Sequence, residues 1–95
     1  MFCINVILNV KDAANVEQVA GLLARAGGMS RQEPGCIRFE VCHSHDNPQV
    51  FILCERWESE QAWKDHRERQ AVQEIYIPQV LPLVERVPHI STILE

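Results

Sequence analysis

His66 closes the stretch ERWESEQAWKDH (55–66), on a face where an aliphatic side chain is expected. Ala62, Trp63 and His66 stand three and four apart, so one side of a helix carries all three. That side of a globular helix turns to the core. An imidazole there is either a core histidine satisfied by a backbone carbonyl or the lining of a pocket. With an unperturbed pKa of about 6.5, it suits a general base that takes a proton at neutral pH.

Glu55 and Asn5 are the other candidates for chemistry. Glu55 follows an apolar run and points to the same side of its strand as Phe51, Leu53 and Trp57. There it can orient His66 or bind a hydroxyl; an ion pair with Arg38 across a hairpin is the plain alternative. Asn5 sits among apolar neighbours in a strand, where asparagine is disfavoured. A buried amide must find hydrogen bonds. It would serve as a donor that polarises a carbonyl, unless it simply faces water at a sheet edge. Trp57, Trp63, Phe39 and Tyr76 can wall a flat aromatic pocket, although plain core packing is the simpler account of Trp57 and Phe39. The string CHSHD (42–46) holds metal-ligand types. Only His43 and His45 share a strand face, and no second pair has zinc-like spacing, so no metal is expected. No GxGxxG, P-loop or GxSxG motif occurs.

These residues need a scaffold, and the sequence supplies one. FCINVILNV (2–10) reads as a first strand. Asp12 or Asn15 can cap a helix whose apolar positions are Val16, Val19, Ala20, Leu23 and Ala26. Gly27-Gly28 can stop or weaken it, and the turn at Glu33-Pro34-Gly35 is its limit. CIRFEVCHS (36–44) and QVFILCERW (49–57) flank HDNP (45–48) as a β-hairpin. A second helix starts after Ser59. Its apolar register breaks near 67–70, because the stripe Ala71, Val72, Ile75, Tyr76 does not continue the one through His66. Pro78 opens a further short helical turn through Val84. VPHISTILE (87–95) is the last strand. The order β-α-β-β-α-β is that of a ferredoxin-like α+β sandwich. Two helices cover one face of such a sheet. The apolar residues on the other face predict a homodimer packed sheet on sheet.

The chain of 95 residues allows one domain spanning 1–95. A net charge of −4 with scattered Lys and Arg argues against nucleic acid and anionic membrane as partners. No apolar run is long enough to span a bilayer and no leader opens the chain, so a cytoplasmic location is expected. Cys3, Cys36, Cys42 and Cys54 form no CxxC pair and read as reduced thiols in strands.

The strings EPGCIRFEV (33–41) and NPQVFILCERWESEQAWKDH (47–66) resemble the antibiotic biosynthesis monooxygenase family, which includes small quinol monooxygenases. The resemblance runs nearly end to end. It implies a dimeric α+β barrel that oxidises phenols or quinols with O2, without flavin, haem or metal. His66 matches the family's histidine at the end of the helix after strand three. Asn5 matches a strand-one asparagine that faces the pocket in several relatives. Glu55, Arg38 and Trp57 match recurrent strand positions, and Tyr76 falls where relatives place an aromatic residue or histidine. The leading expectation is thus a cofactor-free oxidation of a small aromatic quinol or polyphenol. His66 and Glu55 would move the proton, Asn5 and Arg38 would stabilise charge on oxygen, and Trp63, Tyr76 and Trp57 would hold the ring. Related members degrade haem or isomerise small metabolites. Two other readings therefore stand beside it: a haem- or quinone-binding protein, and an isomerase using His66 as acid and base.

Overall fold

Alternation in the first strand decides which side of the sheet becomes the core. In the computed structural model, which describes residues 1–95, β1 spans Phe2–Val10. Ile4, Val6, Leu8 and Val10 point to one face and are all buried. Antiparallel partners lie on both sides of it: β3 (Val50–Trp57) on one and β4 (Val84–Ser91) on the other. β2 (Cys36–His43) pairs with β3, giving the order β2-β3-β1-β4. In β3 the same parity buries Phe51, Leu53, Glu55 and Trp57 on the face of Ile4 and Val6.

Helix α1 spans Val16–Ser30, behind a 3-10 turn at Ala13–Asn15. Asp12, not Asn15, provides the cap: its carboxylate accepts from the Ala14 N–H at 2.9 Å. Val19 and Leu23 are buried in the core on the sheet, and Ala26 is buried with Ala71 and Ile75. Gly27 and Gly28 do not stop the helix. At Gly27 a side chain would meet Val41 Cγ2 at 3.2 Å, so this glycine lets β2 approach. The chain then turns at Gly35, whose φ of +81° is a left-handed conformation. A Cβ there would lie 2.7 Å from the Ala62 Cβ. Gly35→Ala therefore costs about 2 kcal/mol from backbone strain plus the clash. Thermal unfolding reads this as a Tm lower by about 10 °C. An unchanged Tm would mean that the turn relaxes freely.

Helix α2 spans Glu60–Arg67. Ser59 Oγ caps it by accepting from the Ala62 N–H at 3.1 Å. The expected break follows at residues 68–70. Beyond it the chain is a π-helix, Ala71–Val80, and then a 3-10 turn at Leu81–Leu83. Its buried residues, Ala71, Ile75 and Val80, stand four and five apart, which is why the apolar stripe loses the α-helical register. Pro78 lies inside this helix and does not open a new one. β4 begins at Val84, three residues before the expected 87, and ends at Ser91.

The architecture is a ferredoxin-like α+β sandwich. Its shortest dimension is 17 Å, room for one sheet and one helical layer. The helices cover one face. The other carries Asn5, Ile7, Arg38, Glu40, Ile52, Cys54 and Val87 at its surface. No helix is long and apolar enough to cross a membrane.

Candidate active site

α2 and the π-helix meet over β3 and β4 without filling the space between them. What remains is a cavity of about 410 Å³ with mostly apolar walls. Leu53, Phe39 and Ile4 form its floor, and Trp63, Val72, Tyr76 and Ile77 form its helical wall. His66 enters from the last turn of α2 and Glu55 rises from β3.

His66 is oriented by a residue that spacing did not reveal. Its Nδ1 lies 2.7 Å from Glu33 Oε1, in the turn before β2. With Glu33 ionised, the proton sits on Nδ1 and the Nε2 lone pair is left free. Nε2 has no hydrogen-bond partner in the protein; Glu55 Oε1 lies 3.9 Å away, beyond hydrogen-bond reach. A hydroxyl approaching from the cavity could bridge both atoms from one side, about 2.7 Å from each. Behind His66 the Trp57 ring packs at 4.4 Å and the Phe39 ring at 5.8 Å. Burial pulls the imidazole pKa below its ordinary value, while Glu33 pushes it back up.

Glu55 is nearly as enclosed. The Trp57 indole N–H donates to its Oε1 at 3.1 Å. Burial raises its pKa to about 7, against smaller lowering contributions from Trp57 and Arg86. Near neutral pH this carboxyl both gives and takes a proton, which matches the requirement for acid–base catalysis. At the far side of the cavity Arg86 Nε donates to the Tyr76 hydroxyl at 3.1 Å. Burial pushes the Tyr76 hydroxyl up, so it stays protonated.

His66, Glu55, Trp63 and Tyr76 thus come together as the sequence suggested. Three other expected site residues do not join them. Asn5 pairs across the sheet with Cys54 and His89, on the face away from the helices, and is exposed. Arg38 lies on that same face and binds Glu40 at 2.7 Å, so it neither pairs with Glu55 nor reaches the cavity. Strand parity is the reason: residues 5 and 38 have the parity opposite to the core positions of their strands. Trp57 is fully buried one layer behind the wall, where it holds Glu55 and backs His66. Glu33, bonded to His66, and Arg86, on the cavity wall, are the site positions that residue spacing alone missed. Glu33 lies within the EPGC turn, whose family resemblance was the available signal.

A one-sided α+β sandwich with a buried carboxylate–histidine pair opening on an apolar cavity has the makeup of a candidate acid–base site. The chain belongs to the antibiotic biosynthesis monooxygenase family, whose model matches residues 1–76. A candidate antibiotic biosynthesis monooxygenase from Nitrosomonas europaea superposes with a TM-score of 0.88 at 21% identity, covering 100% of both chains. A conserved protein of unknown function from Bacteroides thetaiotaomicron gives 0.87 at 22% identity, over 95% of this chain and 94% of that one. A Shewanella oneidensis protein gives 0.79 at 28% identity, over 95% and 90%. No curated protein matches the chain.

Proposed function

We propose that this protein is a cofactor-independent monooxygenase that oxidises a small aromatic quinol or polyphenol with O2. The observation that supports it best is the free Nε2 of His66, oriented by Glu33 and facing Glu55 across an apolar cavity. His66 Nε2 takes the phenolic proton, and Glu33 stabilises the imidazolium that forms. The resulting phenolate is electron-rich enough to pass one electron to O2, giving a substrate radical and superoxide. Their recombination at a ring C–H carbon forms a C–O bond and, with the proton returned, a hydroperoxide. Loss of water from the hydroperoxide leaves a quinone carbonyl. One oxygen atom stays in the product, and the other leaves as water with both hydrogens, so the equation closes on ArOH + O2 → quinone + H2O. Glu55 shuttles the second proton, and the apolar walls keep bulk water from the intermediates.

The chain acts as a homodimer in this reading. The uncovered sheet face, with Ile7, Ile52, Cys54 and Val87, is the surface that a second copy would cover. Asn5 and Arg38 then belong to that interface rather than to the proton transfer. Four free cysteines fit a reducing, cytoplasmic setting.

The test is O2 uptake by metal-stripped protein with a panel of naphthoquinols and polyphenols. Uptake above the autoxidation rate is expected for at least one substrate. Uptake at the autoxidation rate across the whole panel would overturn the assignment.

A further inference from the structure

The charge on the cavity wall runs against the charge of the chain. The protein carries a net −4, yet the cavity is lined by two arginines and a single carboxyl. Arg67 lies over the Trp63 ring, 5.1 Å from its centroid, and Arg86 reaches in from β4. Neither has a carboxylate partner. The ion pairs of the protein are Arg38–Glu40, Lys64–Glu60 and the contacts of His66 with Glu33 and Glu55. The one carboxyl on the wall, Glu55, is only partly ionised at neutral pH, because burial lifts its pKa to about 7. Arginine stays charged throughout, so the wall has an excess of positive charge.

The hydrogen-bonding capacity at this end is also unspent. Arg86 uses Nε on the Tyr76 oxygen, which leaves its terminal amino groups without a protein acceptor. The Tyr76 hydroxyl accepts that bond and makes no other, so its own proton is free to donate. A guanidinium at the solvent-open rim of an apolar cavity, with a phenol beside it, makes charge-assisted hydrogen bonds to an anionic oxygen, which are about twice as strong as neutral ones.

We infer that the substrate is a flat apolar molecule bearing an anionic oxygen, a carboxylate or an acidic enol, held by Arg86 and Tyr76 with Arg67 beside them. This rests on reading the cavity as the substrate site, and it fixes an orientation. The anionic end lies at Arg86, and the hydroxyl to be deprotonated lies at His66 and Glu55.

Titration calorimetry under argon, at pH 7 with the full-length protein, tests this apart from any oxidation. The probes are 2-naphthoate, 2-hydroxy-1,4-naphthoquinone, whose enol is ionised at that pH, and the neutral 2-naphthamide. At least one anion is expected to bind about tenfold or more tightly than the amide. The Arg67→Gln/Arg86→Gln protein should lose that preference, and Arg86→Lys alone should keep part of it. Both arginines contact solvent, and an unchanged near-ultraviolet circular dichroism spectrum would show that the fold is intact. Which anion binds tighter distinguishes a carboxylate from an acidic enol. Equal binding of amide and anions, a preference that survives the double variant, or no binding of any probe would each overturn the inference. A protein that binds the anions yet consumes no O2 would fail the oxygenase assignment and leave this one standing.

Discussion

His66→Ala is expected to lower the rate of O2 uptake by about 10²–10⁴-fold, the usual contribution of a positioned general base. The geometry leaves no equivalent substitute. The other ring nitrogen is occupied by Glu33 at 2.7 Å, and Glu55, the nearest alternative base, already accepts the Trp57 indole N–H. The alanine also leaves a hole, because the imidazole packs on Trp57 at 4.4 Å. Some loss of stability will therefore accompany the loss of rate. His66→Gln separates the two effects: its amide fills most of the space and can donate to Glu33, but it cannot accept a phenolic proton. Both variants should sediment as the same dimer as the parent protein. Turnover retained in His66→Gln would remove His66 from the proton transfer. A parent protein that sediments as a monomer would refute the sheet-on-sheet assembly.

Glu55→Gln should make the protein more stable at pH 8 and leave it nearly unchanged at pH 5. In the unfolded chain Glu55 ionises near its ordinary value of 4.5; in the folded protein it does so at about 7. Its folded pKa is raised, so the stability it contributes is complete below about 4.5 and is lost as pH rises through 7. The full difference corresponds to about 3 kcal/mol, an upper figure since water can reach the cavity. Glutamine mimics the protonated acid, accepts the Trp57 indole N–H and has no charge to bury. At pH 8 the variant should gain about 1–3 kcal/mol, or about 5–15 °C in Tm. Arg86 and Glu33 act on this carboxyl with opposite signs of charge and are present in both proteins. Thermal unfolding of both proteins across pH 5–8 measures it, and a difference that does not grow with pH would show that Glu55 ionises normally. Catalysis should fall in the same variant, because the carboxyl that carries the second proton is gone.

The sheet was legible because period-two alternation in residues 2–10 and 50–57 is decided locally by backbone geometry. The same parity argument places residues 5 and 38 on the outer face, and position-by-position likeness to relatives did not override it. Ion pairing at Glu33 is a different matter. Its partner is 33 residues away in sequence, and only the fold brings the turn before β2 under the end of α2. Arg86 stayed hidden because it precedes Pro88, and the final strand appeared to begin at Val87. The register break after His66 was visible, but its form was not. A π-helix has no composition signal, and Pro78 reads as the opening of a further turn where one helix instead runs through it.

That helix divides the labour of the cavity in an unequal way. His66, Glu55 and Glu33 stand on α2, β3 and the turn before β2, all fixed by the sheet or by each other. Val72, Tyr76 and Ile77 stand on a single segment between residue 70 and β4. Removing one residue from a helix rotates everything beyond it by a large fraction of a turn. A single-residue insertion or deletion in this segment therefore exchanges the side chains that face the cavity while leaving His66, Glu55 and Glu33 where they are. The polar end of the cavity is tied to the sheet, and the wall between residue 70 and β4 is free to be rewritten.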